Sequence, residues 1–277
     1  TVAAIEMDPD ARRTLKRNRP RWTLVGNDVA AVRGDDVRKA ARLGDCEVDA
    51  LVGGPPCQPF SAAGYWRTGD SPRLNDPRAD TLTQFVRLVA ELQPRVLVME
   101  NVAAFGFRGK RDGLDLVLRQ LDEVNAKHGT SYAPVHQVLN ASDYGVPQER
   151  RRFFLVACRM GTTFTFPAPI GAQERRTAWD AIGGLSPGAD EELSVGGKWG
   201  PLLSSIPEGT NYLHHTPRGR GEPLFAWRSK YWSFLLKLAK RLPSWTIPAQ
   251  PGSAAGPFHW DNRRLSHDEL ARLQTFP

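Results

Sequence analysis

The sequence predicts an α/β fold: a doubly wound, mostly parallel sheet, joined to a smaller irregular domain. From residue 1 to about residue 160, short apolar runs alternate with stretches of helical period, the pattern of strands connected by crossover helices. Beyond residue 160 the chain becomes rich in Gly, Pro and Ser, with few clear periods, as in "GGLSPGADEELSVGGKWGP" and "HHTPRGRGEP". The 277 residues, 40% of them hydrophobic, suffice for one large core or two unequal domains.

The elements follow in order. "VAAIE" reads as a strand, and "PDARRTLKRN" as a basic helix opened by Pro9. "VDALVGG" is a second, buried strand. "DTLTQFVRLVAELQP" sets Leu82, Phe85, Val86, Val89 and Leu92 at helical spacing, and Pro94 stops it. "RVLVMENV" is a further buried strand. "GLDLVLRQLDEVNAKHG" places Leu114, Val117, Leu118 and Leu121 on one face and closes at Gly129, a residue suited to a left-handed C-cap. "RFFLVAC" completes the series as a strand. Later, "FAWRSKYWSFLLKLAKRLPSW" carries Trp227, Tyr231, Phe234, Leu235 and Leu238 along one helical stripe, with Arg228, Lys237, Lys240 and Arg241 off it. "RRLSHDELARLQTFP" begins a helix at Ser266 with Glu269 three residues on, a capping box. The Gly-, Pro- and Ser-rich texture over 161–224 reads as a small irregular domain or a set of long surface loops.

Charge and cysteine usage narrow the function classes. Lys and Arg number 37 against 30 Asp and Glu, a net charge of +7, which favours a polyanionic partner, nucleic acid before membrane. No apolar stretch approaches the roughly 20 residues that span a bilayer, and no signal-peptide pattern opens the chain. Three widely spaced cysteines, Cys46, Cys57 and Cys158, fit neither a disulfide framework nor a cysteine zinc site. His214 and His215 are adjacent and lack acidic or cysteine partners at ligand spacing, so no metal site is expected. A cytoplasmic, reduced, monomeric protein is the expectation.

In a doubly wound sheet, functional residues belong at the carboxyl ends of strands. Glu6, Cys57 and Glu100 all fall there. In "GGPPCQPFS" two glycines and two prolines bend and stiffen the chain before Cys57. Backbone amides and cations at such a turn would lower a thiol's pKa and make it a nucleophile. A cysteine packed as a small hydrophobe fits the turn equally well. Glu100, in "MENV", ends the next strand. It could cap a helix or pair with an arginine, or, desolvated, stay protonated and donate to a ring nitrogen. "NASDYGVPQERRRFF" supplies Gln148, Arg150 and Arg152, the two arginines at a spacing of two and so on one side of an extended segment. They could be a solvated charge run, or could grip an electron-rich carbonyl or a phosphate.

"GGPPCQPFS", "MENV", "NASDYGVPQERRR" and "RRLSHDELARLQTFP" together resemble the ordered motifs of the DNA (cytosine-5)-methyltransferases of bacterial restriction-modification systems. The resemblance runs from residue 1 to 277 apart from the variable middle. It implies a Rossmann-like methyltransferase fold that takes S-adenosylmethionine as cofactor and double-stranded DNA as substrate, with a restriction endonuclease as partner in the same system. It assigns Cys57 to attack on C6 of a cytosine turned out of the duplex. Glu100 is matched to N3 and the exocyclic amine, Arg152 to O2, and Arg150 to bracing the loop or a phosphate. Gln58 and Ser61 are matched to the vacated stack and nearby phosphates. On the cofactor side it implies Glu6 for the ribose hydroxyls, Met7 against the adenine, Asp28 with Val29 for the adenine amine, and Pro55 and Leu82 as walls. Asp36 in "RGDDV" competes with Asp28. The family's glycine-rich opening, of the form FxGxGG, is expected just before Thr1, and its closing Gly-Asn helix just after Pro277. A cofactor site only partly contained in these residues, in a truncated chain or one half of a split enzyme, is therefore expected.

The resemblance further implies a catalytic and cofactor-binding α/β domain over 1–185, a target recognition domain over 186–243 and a return segment over 244–277 that packs on the catalytic domain. Lys198, Arg218, Arg220 and Arg228, with Trp199 and Lys230, are cations and an aromatic in Gly-rich loops able to reach phosphates and base edges. The aromatic stripe of Trp227, Tyr231 and Phe234 reads better as core. Two alternatives remain open: a tRNA cytosine methyltransferase of the same fold, and a non-catalytic DNA-binding subunit whose partner supplies cofactor binding.

Overall fold

The computed structural model describes residues 3–44, 47–56, 80–107, 111–228, 231–249 and 252–276. The chain forms two compact units, Thr1–Leu139 with Arg152–Pro167, and Asn140–Arg151 with Ala168–Pro277.

The first unit is α/β. Strand β1 (Ala3–Ile5) leads into helix α1 (Pro9–Asn18) and returns as β2 (Thr23–Gly26), parallel to β1 with Ala3 opposite Thr23. Asp8 caps α1, its carboxylate accepting from the N–H groups of Asp10 (2.9 Å) and Ala11 (2.8 Å), and Pro9 occupies a position where a missing N–H removes no helical bond. Helix α2 (Gly34–Ala40) follows, then β3 (Ala50–Gly53), α3 (Asp80–Leu92), β4 (Val96–Val102), α4 (Asp112–His128), β5 (Val135–Asn140) and β6 (Arg151–Cys158). The second sheet has the order β3-β4-β6-β5. β3 runs parallel to β4, with Gly53 opposite Met99, whereas β6 runs antiparallel to β4, with Glu100 opposite Phe154 and Val102 opposite Arg152.

The core is built where the periodicity places it. Leu82, Phe85, Val86 and Val89 of α3 and Leu114, Val117 and Leu121 of α4 pack with Leu97, Met99, Phe153 and Leu155 of the sheet. Gly129 closes α4 in the left-handed region at φ +65°. The parallel pairs β1–β2 and β3–β4 match the expected doubly wound pattern, and β6 is the antiparallel strand within a mixed sheet. Strands β2 and β5 carry no fully buried residue, which leaves them without a clear apolar run in the sequence.

The second unit has little regular structure. Its α-helices among the described residues are α5 (Ala178–Ile182) and α6 (His267–Leu273). Ser266 and Glu269 form the expected capping box at the start of α6, Glu269 N–H donating to Ser266 Oγ at 3.2 Å and Ser266 N–H to Glu269 Oε2 at 2.8 Å. The helical stripe expected over 225–245 is not formed. Residues 235–239 are buried consecutively, which no helix face can do, and Leu235 lies at φ +51°. Their backbone pairs at long range instead: Leu235 N–H donates to Ala254 O (2.9 Å), Lys237 N–H to Thr210 O (2.9 Å) and Leu238 N–H to Phe258 O (2.8 Å). Burial against two separate clusters drives this: Leu235 joins Leu203, Ile206, Tyr212 and Phe258, whereas Leu238 joins Ala178, Ile182, Trp260 and Leu273. Trp227 and Tyr231, expected in the core, are exposed. Among the described residues no helix is long and apolar enough to cross a membrane.

Candidate active site

In the first unit, two carboxylates stand at the carboxyl edge of the parallel β1–β2 pair. Glu6 follows β1 directly and uses Oε1 to accept the Asp8 N–H at 2.8 Å. Asp28 lies just beyond β2 and uses Oδ1 to accept the Ala30 N–H at 2.9 Å. Each side chain is thus oriented by its own turn, and the second oxygen of each has no partner among the described residues. Asp36, the competing acid, is instead a cap of α2, accepting the Arg33 N–H at 3.0 Å. Arg12, which no sequence motif singles out, clamps the two strand ends by donating to the carbonyls of Glu6 and Gly26. Met7 is 77% exposed and borders an open cleft of about 410 Å³ with Pro9, Arg12, Gly26 and Asn27; Val29 is half-buried nearby in sequence, and Leu82 is fully buried in the core.

The glycine–proline bend at the end of β3 is held from three sides. Gly53 passes so close to α3 that an added Cβ would stand 2.7 Å from Phe85 Cε2, and a Cβ on Gly54 would stand 3.3 Å from Glu100 Oε2. Asn101, 3% exposed, donates from Nδ2 to Pro55 O at 3.1 Å, and Thr81 Oγ1 donates to Pro56 O at 3.4 Å. Prolines lack an N–H, so these two carbonyls are the handles by which the bend can be gripped. Cys57, Gln58 and Ser61, and Lys230 further on, lie outside the described residues. Beside the bend, Glu100 Oε1 pairs with Arg152 Nε at 3.0 Å, the two side chains 39% and 21% exposed. The antiparallel register makes this pair possible, since Arg152 sits opposite Val102, two residues along the same strand face from Glu100. Glu100 is therefore half-open and ion-paired, not sealed from solvent.

The remaining residues belong to the second unit. Arg150 is placed by its backbone, its N–H donating to Asn140 Oδ1 (2.9 Å) and its carbonyl accepting from Ala141 N–H (3.0 Å). Gln148 is 1% exposed and pairs through its backbone with Ser244; its side-chain amide has no partner among the described residues. Lys198, Arg218, Arg220 and Arg228 are exposed, with Lys198 Nζ 4.7 Å above the Trp199 ring and the Arg218 guanidinium 4.2 Å above Trp227. No group of three or more His, Cys, Asp or Glu among the described residues is arranged to hold a metal ion.

Parallel strands ending in carboxylates, with an anchored loop beside an acid–arginine pair, define a Rossmann-like α/β fold. The chain belongs to the C-5 cytosine-specific DNA methylase family, whose family model matches residues 1–277. It is 34% identical over 299 residues to the Type II methyltransferase M.SacI of Streptomyces achromogenes, covering 100% of this chain and 75% of that protein. It is 37% identical over 171 residues to the Type II methyltransferase M.AquIA of a Picosynechococcus strain, covering 61% and 67%. Among solved structures it shares its fold with a prophage-encoded Escherichia coli protein described as a DNA modification methyltransferase, at a TM-score of 0.67 and 19% identity over 100% of this chain and 82% of that one. The Dnmt2 methyltransferase of S. pombe shares the fold at a TM-score of 0.58 and 16% identity, over 100% and 79%.

Proposed function

We propose that the protein methylates C5 of a cytosine in double-stranded DNA, using S-adenosylmethionine, as the modification half of a restriction system. The observation that carries this reading is the anchored bend at residues 53–56 directly beside the Glu100–Arg152 pair. C5 of cytosine is a poor nucleophile while the ring is conjugated. Cys57, next in the chain after the bend, adds as thiolate to C6 and leaves the electron pair on C5. Asn101 and Thr81 act by fixing where the bend ends, and hence the line of attack. Glu100 accepts from the exocyclic amine and, protonated, donates to N3; Arg152 exchanges its ion pair with Glu100 for the base's O2. Turning the base out of the stack costs about a few kcal/mol, offset by these contacts and by Gln58 and Ser61 in the vacated space. Loss of the C5 proton and departure of the Cys57 thiolate restore the ring.

The strand-end residues suit the cofactor. Glu6 and Asp28 each keep one oriented carboxylate oxygen open at neighbouring strand ends, as the hydroxyls of a ribose and an adenine amine require, and the exposed Met7 offers an apolar face. Pro55, Val29 and Leu82 complete the set through the walls behind them. S-adenosylmethionine, when bound there, supplies the electrophilic methyl group that C5 takes. Arg150 braces the segment leading to β6, and Gln148, Lys198, Arg218, Arg220 and Arg228 belong to the DNA-facing unit.

The test is covalent trapping on a duplex containing 5-fluorocytosine, in which the fluorine at C5 cannot leave as a proton does. With cofactor present, the protein should form an adduct that survives denaturing electrophoresis, and Cys57→Ser should form none. An equal yield from Cys57→Ser would remove the proposed nucleophile.

A further inference from the structure

The surface of the second unit carries one arginine whose surroundings differ from those of a phosphate contact. Arg218 lies in "TPRGRG", a loop folded tightly onto His214 and His215. Gly219 N–H donates to Thr216 O at 2.8 Å and Gly221 N–H to His214 O at 2.9 Å. A Cβ at Gly219 would stand 2.1 Å from the backbone His214 O, so no side chain fits there, and one at Gly221 would stand 2.6 Å from His214 Cδ2 and would displace the histidine rings. The buried His215 fastens the other half. Its carbonyl accepts from Leu224 N–H (3.0 Å) and Phe225 N–H (2.9 Å), and its ring nitrogens lie 2.9 Å from Glu222 O and 2.7 Å from Ser205 Oγ. Phe225 in turn packs edge-on against Trp199 at 5.0 Å, and the Tyr212 hydroxyl donates to Arg228 O. Trp227, between Phe225 and Arg228, is thereby held at both sides, 44% exposed. Upon it lies the Arg218 guanidinium, 4.2 Å from the ring centroid, with no hydrogen bond or ion pair among the described residues.

A phosphate contact needs only a charge on a flexible stem, whereas a base edge needs a planar fork at a set angle. Stacking on an anchored indole fixes that plane before DNA arrives and leaves the guanidinium's donors open. Guanine alone presents two adjacent acceptors, O6 and N7, in the major groove. Resting on the functional reading above, we infer that Arg218, pre-set by Trp227, is a specificity-determining residue that reads one guanine of the target sequence. Among the described residues no ring lies beneath Arg220 or Arg228, and these two serve the backbone.

The experiment uses a duplex pool with a randomised window, methylated by the protein and its variants and read by bisulfite sequencing. The parent should methylate cytosines in a context containing an invariant guanine. Arg218→Lys, which keeps the charge but not the fork, and Trp227→Ala, which removes the platform, should each relax selection at one guanine by about 5- to 150-fold, the span of a bidentate Arg–guanine contact. Selection at other positions, the thermal midpoint and, for Arg218→Lys, the salt dependence of duplex binding should stay as in the parent. A uniform loss across all sequences, or undiminished selection at every guanine, overturns the inference while leaving the methyltransferase reading intact. A parent that methylates no duplex overturns that reading, and the inference falls with it.

Discussion

Replacing Glu269 by glutamine should unfold the second unit's polar centre with little change in shape. Glu269 is fully buried, and its carboxylate accepts from Arg263 Nη1 (2.8 Å), Arg263 Nη2 (2.7 Å) and Ser266 N–H (2.8 Å). His259 Nδ1 accepts the Asp261 N–H at 3.1 Å, so its Nε2–H faces Glu269 Oε1, 3.5 Å away. A glutamine can keep its oxygen at the Oε2 position, but its NH2 then faces two donors, and Arg263 loses its buried counter-charge. Breaking a buried ion pair from one side costs about 3–5 kcal/mol, a fall of roughly 10 °C or more in melting temperature. Burial pushes the Glu269 carboxyl up, but the hydrogen bonds from Arg263 and Ser266 and the nearby cations outweigh it, leaving its pKa below the ordinary 4.5. Burial, with help from Arg263, holds His259 below its ordinary 6.5. Both groups bind fewer protons folded than unfolded, so stability present at neutral pH declines as pH falls, first below about 6.5 through His259 and then below about 4.5 through Glu269. Scanning calorimetry at pH 7.5 and at steps down to pH 4 should show the large deficit of Glu269→Gln shrinking once the parent's own carboxyl begins to protonate. A deficit under about 2 °C at pH 7.5 would refute the account of Glu269 as the keystone of this cluster.

Asn101→Ala should lower the single-turnover methylation rate about 100-fold with duplex binding unchanged, because only the aim of the bend is lost; an unaltered rate would show that Pro55 is held by other means. Gly53→Ala forces a Cβ to within 2.7 Å of the buried Phe85 ring and should cost about 1–3 kcal/mol in urea melts, with loss of trapping on 5-fluorocytosine. Tyr132→Phe removes the buried bond from the phenol to Pro94 O (2.6 Å) and should cost about 1–3 kcal/mol; in the parent, burial pushes that phenol up to about 12, so the folded protein should show one tyrosine that ionises late in an ultraviolet titration. Asp28→Ala should weaken S-adenosylmethionine binding about tenfold or more by calorimetric titration, whereas Asp36→Ala should only loosen the cap of α2. The reverse order would assign the adenine amine to Asp36.

Much of the first unit was legible because its signals are local. Helices α3 and α4 show an apolar stripe closed by a terminator, Pro94 or Gly129, and each buried residue predicted from α3 is buried. The acid and arginine could be placed on strands, but their pairing depends on β6 running antiparallel to β4, a register no local pattern encodes. Asn101 and Thr81 escaped notice for a different reason: a single polar residue looks like any other until its carbonyl partner, and for Asn101 its burial, is known. The segment 225–245 misled because aromatic and aliphatic residues fall at helical spacing, while Leu236 and Ala239 beside them are apolar as well and Lys237 is buried with them. Such a density fits a chain buried on both sides, and long-range backbone pairing then displaces the helix.

The same physics explains why the second unit needs its charged centre. With α5 and α6 both short, local turns satisfy many of its backbone N–H groups, but others, such as those of Leu235, Lys237, Leu238 and Arg264, must find carbonyls far along the chain, and apolar burial alone does not say which. Glu269 narrows that freedom, since Arg263, Ser266 and His259 converge on its buried carboxylate. His215 does the same for the arginine loop through Glu222, Ser205, Leu224 and Phe225. Both centres sit beneath the surface and leave Arg218, Arg220 and Trp227 outside their hydrogen-bond networks. A substitution at Arg218 should therefore change what the surface reads without disturbing what holds it, whereas a substitution at His215 should scatter the loop and lose selection at several positions at once.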